Sequence, residues 1–235
     1  MSRSWCLPLL VLFAACGETA LHPYTAPTDA ARPDLARPDL ARPDFVPPDA
    51  AARPDLAPTP SGVPTYPGDN WGGKVGKRFP NLSFEGVASA ATADAPTVIH
   101  VADYFDPAGA RYDLLHVVIV AMWCPHCDRQ ASAIAGLADW QAQNRIATFE
   151  LAIDGPNHSG PSMAEVADWA VAHKLSTPVA RDPKSAQIKP YITVDYIPLH
   201  LLVNPRTMTI LDATTGEVAD LKAYEQKFRS QVTGG

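Results

Sequence analysis

Two cysteines separated by two residues, in Cys124-Pro125-His126-Cys127, are the side chains most suited to chemistry in this sequence. A thiolate is the reactive form of cysteine, and the first turn of a helix stabilises it through unpaired N–H groups and the helix dipole. If a helix begins here, Cys124 is placed to act as a nucleophile. Cys127, one turn behind, is placed to attack a mixed disulfide formed on Cys124. The spacing therefore predicts thiol–disulfide chemistry.

Other roles are compatible with a lone cysteine pair. It could be half of a zinc site, but the sequence offers no second cysteine pair and no suitably spaced His/Cys pair. It could be a structural disulfide, but a bridge that closes so small a loop stabilises weakly. A copper-handling module using Cys124, Cys127 and a distant histidine would bind metal without turning over a disulfide. We interpret three lone histidines as surface or packing residues: His158, His173 and His200. We expect no metal and no cofactor.

A strand and a helix are predicted on either side of the pair. His116–Met122 is a nearly continuous apolar run rich in β-branched residues, which is typical of a strand buried on both faces of a sheet. It ends directly before Trp123, and Asp128–Ala142 follows as a helix. Pro125 suits a first helical turn because it has no N–H to lose, and His126 could add positive charge or a hydrogen bond. We expect Trp123, Pro125 and His126 to tune the reactivity of the pair.

Strands and helices alternate along the rest of the chain. The apolar pattern and turn signals predict short strands and turns around Gly76–Phe84 and Thr97–Val101, a strand at Ile146–Ile153, a helix at Ser162–Lys174, an extended piece at Thr177–Ala180, a hairpin of Leu199–Val203 and Met208–Leu211, and a terminal helix. Alternating strands and helices favour an α/β sandwich, and the closing hairpin makes the central sheet mixed.

The N-terminal region carries export signals. A positive start and the apolar stretch Trp5–Ala15 form a secretory signal that is too short to remain as a membrane span. Leu12–Cys16 also resembles a bacterial lipobox, in which small residues precede a diacylated cysteine, although Phe13 stands where leucine is usual. We expect residues 1–15 to be removed and Cys16 to be lipidated. The alternative is an ordinary signal peptide whose removal leaves Cys16 as a free thiol.

A repeated, proline-rich segment follows in residues 16–66. Ala-Arg-Pro-Asp-Leu occurs at 31–35, 36–40 and 52–56, and Ala-Arg-Pro-Asp-Phe at 41–45. Because proline removes a backbone donor every fifth residue, neither helix nor sheet can propagate, and we expect an extended, disordered tether. Its reach is at most about 150 Å. Residues 67–235 would form the folded domain.

The charge of the chain gives no reason to propose a nucleic-acid-binding surface. The formal net charge is −6, and the lysines and arginines form no block or stripe. Nothing in the pattern resembles a dimerisation segment, so we expect a monomer.

The chain is similar to the thioredoxin superfamily, and most closely resembles its TlpA-like and redoxin branch of exported, often lipidated, oxidoreductases. The residues that carry the resemblance are Val117–Cys127, Arg181–Pro183 and Tyr191–Val203. It implies a thioredoxin-like three-layer sandwich, with a mixed central sheet flanked by helices. It also implies that Pro198 is cis and packs beside the cysteines, with Ile197 offering backbone groups to an extended substrate peptide.

This resemblance implies an enzyme that exchanges disulfides with protein substrates in the bacterial cell envelope. It would be held by its lipid, facing the periplasm or on the outer-membrane surface, and a membrane redox partner would reload the cysteine pair. The Pro-His dipeptide is that of DsbA-type oxidases, whereas TlpA-like proteins are reductants, so the direction of electron flow stays open. A non-catalytic surface lipoprotein that uses the fold as a scaffold is the other alternative.

Acids that accept protons in similar proteins are replaced here. Thioredoxins place an acid where Val118 stands, and many TlpA-like proteins have a glutamate at the position of Gln130. Asp128 adjoins the pair, but a polar residue in a first helical turn is more often solvated than a proton relay. A peroxiredoxin is disfavoured, because Val117 and Ala121 occupy the positions of that family's proline and threonine or serine.

Overall fold

Seven strands and three α-helices follow one another in the described part of the chain, residues 65–234 of the computed structural model. In chain order they are β1 (Ser83–Val87), β2 (Thr97–His100), β3 (Leu114–Ala121), α1 (Pro125–Gln143), β4 (Ile146–Asp154), α2 (Met163–His173), β5 (Val179–Arg181), β6 (Leu199–Asn204), β7 (Thr209–Thr215) and α3 (Leu221–Thr233). The strand and the helix predicted around the cysteine pair are β3 and α1.

The first pairing strand is shorter than the predicted segment Gly76–Phe84. Pairing in β1 begins only at Ser83. Gly76 has a positive φ of 83°, which suits a turn, and Pro80 has no N–H to offer a strand partner. Glycine and proline therefore keep these residues out of β1, and Arg78 instead forms an isolated antiparallel bridge with Thr209 of β7.

The sheet is mixed, as the alternation of elements indicates. Its strand order is β2-β1-β5-β4-β3-β6-β7. The strands β3, β4 and β5 run parallel, whereas the hairpin of β6 and β7 adds antiparallel to β3. β1 pairs antiparallel with both β5 and β2. This order places β3 inside the sheet with all of its side chains buried, so the cysteines emerge from a strand that is held on both edges.

The two faces of the sheet are covered in different ways. The face that carries the cysteines packs against all three α-helices through a cluster that includes Ile134, Trp169 and Leu221. The opposite face packs against 3₁₀ turns and loops, which contribute Val101 and Ile188. The sheet and these two layers form the expected three-layer sandwich. Apolar packing on both faces of β3 fixes the point at which the cysteine pair leaves it.

Tyr66 packs against the core of the described residues. Its hydroxyl donates a hydrogen bond of 2.6 Å to the Phe79 carbonyl. These contacts join Tyr66 to the core of the described residues.

The start of α2 carries a complete capping box. The Ser162 hydroxyl accepts from the Glu165 N–H at 3.2 Å, and the Glu165 carboxylate accepts from the Ser162 N–H at 2.7 Å.

We expect Ser162→Ala to lower the free energy of unfolding by about 1 kcal/mol, because one N–H of the first helical turn loses its partner. Ser159→Ala in the preceding loop is the matched exposed control. If urea unfolding gave equal losses of unfolding free energy for the two variants, the capping role of Ser162 would be contradicted.

Candidate active site

Cys124 and Cys127 lie at the start of α1, directly after β3. Cys124 is the N-cap residue, Pro125 is the first helical residue, and Cys127 lies in the first turn. Both thiols are free. Cys124 is 5% exposed, whereas Cys127 is completely buried. Cys124 is therefore the more accessible residue of the pair.

The surroundings of the two thiols differ in a way that suits two roles. The Asp128 N–H donates to the Cys124 carbonyl at 3.1 Å, so Cys124 stands at the positive end of the helix dipole. Burial raises the pKa of the Cys127 thiol far above its ordinary value, and the neighbouring Cys124 and Glu150 raise it further. Cys127 must therefore lose a strongly held proton before it can attack a disulfide.

The loop before β6 lies against Cys124. The peptide bond between Ile197 and Pro198 is cis, as the family resemblance implies. The Cys124 sulfur lies 4.0 Å from the Ile197 carbonyl oxygen, and Ile197 packs in the same apolar cluster as both cysteines. The fold thus brings this loop and the cysteine pair together.

Trp123 lies at the surface next to the pair. Its side chain is 40% exposed, and its indole N–H donates to the Asp154 carboxylate at 3.4 Å. Its ring centroid lies 4.5 Å from that of His158, and Lys184 pairs with the same Asp154 carboxylate at 3.0 Å. These contacts hold an exposed aromatic side chain beside Cys124.

His126 makes its described contacts with charged groups at the surface. Its Nδ1 lies 2.8 Å from Arg129 Nη2 and 3.2 Å from Glu217 Oε2. Hydrogen bonds from Arg129, with a further one from His126, hold the pKa of Glu217 below its usual range. His126 therefore links α1 to the segment before α3, and the hydrogen bond to the Cys124 thiolate that we considered is not among these contacts.

The three positions considered for a proton acceptor provide no buried carboxylate. Val118 is buried and apolar. Gln130 is buried, and its Oε1 accepts from the Val218 N–H at 2.7 Å. The Asp128 side chain is 62% exposed and lies 3.4 Å from His173 Nε2.

A buried carboxylate lies on the strand beside Val118. Glu150 of β4 pairs in register with Val118 and is completely buried. Its Oε2 accepts from the Trp169 indole N–H at 2.8 Å. Burial raises the pKa of Glu150 to about 7, although the bond from Trp169 lowers it. This residue was not predicted from the sequence, where its signal is a single glutamate within the apolar run Ile146–Ile153.

A second set of buried polar side chains joins β3 and β6 to α3. His116 Nδ1 lies 2.7 Å from Glu225 Oε1, and His116 Nε2 lies 2.9 Å from His200 Nδ1. The Gln141 amide donates to the same Glu225 oxygen at 2.7 Å. Burial, with a contribution from His116, lowers the pKa of His200 to about 3. His200 is therefore a neutral packing residue at neutral pH, which was one of the interpretations given above.

Within residues 65–234, no group of three or more His, Cys, Asp or Glu side chains is placed to hold a metal ion. None of the helices in this part of the chain combines the length and the apolar character that a membrane span requires. The signal peptide, Cys16 and nearly all of the tether lie outside the described residues.

Comparison with known proteins identifies the fold. No family model and no curated protein matches the chain. Several solved structures match, among them a Chlorobium tepidum protein described as thiol:disulfide interchange protein DsbE, with a TM-score of 0.50 and 17% identity over 68% of this chain and 98% of that one. A Bacteroides thetaiotaomicron protein described as a protein disulfide isomerase has a TM-score of 0.51 and 12% identity over 70% of this chain and 93% of that one. The reduced 2-Cys peroxiredoxin of Plasmodium vivax has a TM-score of 0.52 and 9% identity, over 68% and 96%. The chain therefore has a thioredoxin-like fold.

Proposed function

We propose that this chain is a thiol–disulfide oxidoreductase that exchanges disulfides with protein substrates through Cys124 and Cys127. The observation that carries the proposal is a reachable Cys124 at a helix N-terminus with a completely buried Cys127 one turn behind it. The Ile197 carbonyl, 4.0 Å from the Cys124 sulfur, is placed to bind an extended substrate peptide by strand addition. The shared fold with proteins described as a disulfide interchange protein and a disulfide isomerase supports the same function.

The exchange takes place in two steps. The Cys124 thiolate attacks one sulfur of the substrate disulfide, a mixed disulfide forms, and the first substrate thiolate leaves. Cys127 then loses its proton and attacks the Cys124 sulfur, which releases the second substrate thiolate and leaves a disulfide between Cys124 and Cys127. Two electrons have passed from the pair to the substrate. Oxidation of a substrate dithiol is the same sequence in reverse.

Turnover in both directions tests this function. Catalytic amounts of the full chain, with Cys6→Ser and Cys16→Ser so that the pair holds the only thiols, would be added to insulin with dithiothreitol and to a reduced, unfolded protein with oxidised glutathione. We expect acceleration of at least one reaction, and the faster one gives the direction of electron flow. The same chain with alkylated thiols is the control. If neither reaction is accelerated, the non-catalytic scaffold is the better account.

We also propose that the protein works in the bacterial cell envelope, anchored by a lipid on Cys16. The support comes from the apolar N-terminal segment, the lipobox-like Leu12–Cys16 and the proline-rich repeats. A tether of up to about 150 Å would let the domain reach protein substrates and a membrane redox partner.

Metabolic labelling with a radioactive fatty acid tests the anchor. In a bacterial host, the full chain should take up the label, and Cys16→Ser should lose nearly all of it because the acylated cysteine is gone. Cys6→Ser is the matched control and should label like the unchanged chain, since Cys6 lies within the removed signal peptide. Full labelling of Cys16→Ser would contradict the proposal.

A further inference from the structure

We propose that Glu150 is the proton acceptor for Cys127 during disulfide exchange, a role that rests on the proposed function. Cys127 is completely buried and cannot pass its proton directly to water. Val118 and Gln130 occupy the two positions where similar proteins carry an acid. Glu150 brings a buried carboxylate to the same region from the neighbouring strand.

The register of β3 and β4 places Glu150 on the face that carries the cysteines. Val118 pairs with Glu150, and paired residues of adjacent parallel strands lie on the same side of a sheet. Val118 packs in the cluster that contains Cys127, whereas its neighbours Val117 and Ile119 pack in the cluster on the opposite face. The Glu150 carboxylate therefore lies on the side of the sheet from which Cys127 projects, where it accepts from Trp169 of α2.

One oxygen of this carboxylate is available. Glu150 Oε2 accepts from Trp169 Nε1 at 2.8 Å, whereas Oε1 is buried with no hydrogen-bond partner among the described residues. Buried carboxylate oxygens are usually hydrogen-bonded, so an unpartnered one calls for an explanation. The indole nitrogen is only a donor; Trp169 can orient the carboxylate but cannot receive a proton from Cys127.

The groups that face Glu150 come from four elements: Cys127 of α1, Trp169 of α2, Val118 of β3 and Val179 of β5. Of these four residues, only Cys127 carries a titratable side chain. Burial brings the pKa of Glu150 to about 7, where a carboxylate can both take up and release a proton at neutral pH. Burial dominates the raised pKa of the Cys127 thiol, and Glu150 raises it further, as expected for a carboxylate on the same side of the sheet.

The proton transfer belongs to the second step of exchange. The Cys127 proton moves to Glu150 Oε1, Cys127 forms a bond with the Cys124 sulfur, and the bond from Cys124 to the substrate sulfur breaks. The departing thiolate keeps the electron pair of that bond, and Glu150 holds the proton while Cys124 and Cys127 form a disulfide. In the reverse reaction, the protonated Glu150 supplies the proton to Cys127 as it leaves.

An aromatic disulfide whose thiol is coloured, dithiobis-nitrobenzoate, separates the two steps in a stopped-flow experiment. Attack by Cys124 releases one nitrothiolate, and attack by Cys127 on the mixed disulfide releases the second. In the full chain with Cys6→Ser and Cys16→Ser, Glu150→Gln should slow the second release by about 100-fold at pH 7. The first release should stay near its unchanged rate, because Cys124 needs no proton acceptor inside the protein.

Three further variants distinguish proton transfer from a structural effect. Asp128→Asn removes the exposed carboxylate next to the pair and should leave both releases unchanged. Trp169→Phe removes the hydrogen bond to the ionised form of Glu150 and should move the midpoint of the pH profile of the second release upward. Glu150→Asp keeps a carboxylate and should restore part of the rate.

The outcomes are distinct from those that test the proposed function. A second release at the unchanged rate and with the unchanged pH profile in Glu150→Gln would overturn the proposal, as would slowing by Asp128→Asn alone. If the chain that keeps Cys124, Cys127 and Glu150 releases no nitrothiolate at all, the proposed function itself fails.

Discussion

Cys127→Ser should trap substrates as a covalent adduct on Cys124, and Cys124→Ser should abolish disulfide exchange. The reason is the difference in access: Cys124 keeps 5% of its surface exposed, whereas Cys127 is completely buried. Without Cys127, the mixed disulfide has no internal thiol to resolve it. Without Cys124, no nucleophile can reach the substrate, and turnover should fall by at least about 1,000-fold, within the range seen when an enzyme loses its nucleophile.

Mass spectrometry of the chain after incubation with a disulfide-containing peptide measures both effects. Cys127→Ser should carry the peptide mass on Cys124 and lose it on addition of dithiothreitol, whereas Cys124→Ser should carry none. Ala133→Ser, an exposed position on α1, is the matched control for a new serine in the helix and should turn over normally. The opposite pattern, with adducts on Cys127, would reverse the two assigned roles.

Glu150→Gln should raise the stability of the folded chain at alkaline pH. Burial raises the pKa of Glu150 from its ordinary 4.5 to about 7, so the folded state holds this proton more tightly than the unfolded state does. The stabilisation is fully present below about pH 4.5 and is lost as the pH rises through 7, because the buried carboxyl must then ionise. The difference in pKa corresponds to roughly 3 kcal/mol, which the unchanged chain loses between these pH values and Glu150→Gln does not.

Urea unfolding at pH 5 and pH 8.5 tests this expectation. The two chains should have similar stabilities at pH 5, and Glu150→Gln should be the more stable at pH 8.5. Asp139→Asn, at an exposed position on the same sandwich, is the control and should show no such divergence. A Glu150→Gln chain that is less stable at both pH values would show that the carboxylate is needed for folding, contrary to this account.

The elements that hold the cysteine pair could be predicted because their signals are local. The apolar run that forms β3 and the helix-favouring residues after Cys127 lie next to the pair in sequence. The closing hairpin has an equally local signal, since Asn204 and Pro205 are typical turn residues between two apolar segments. The boundaries of β1 were predicted less well, because glycine and proline interrupt the apolar pattern there.

Glu150 and the buried histidines could not be predicted in the same way. Their roles depend on which strand lies beside β3 and in what register, and a shift of one residue would turn Glu150 to the opposite face. The sequence shows that Val118 cannot accept a proton, but the partner of Val118 on β4 is set by packing between segments that are distant in the chain. The same is true of His116 and His200, which meet only because β6 pairs with β3.

The reduction potential of the Cys124–Cys127 pair in the full chain tests the central claim most directly. The chain, with Cys6→Ser and Cys16→Ser, would be equilibrated in defined glutathione and dithiothreitol buffers, and its free thiols counted by mass tagging. We expect the pair to titrate as one two-electron couple with a potential between about −120 mV, typical of an oxidant, and about −270 mV, typical of a reductant. These limits differ by about 7 kcal/mol, so the value also decides the direction of electron flow. A pair that never cycles between thiol and disulfide in any of these buffers, or that retains a metal ion, would contradict the account.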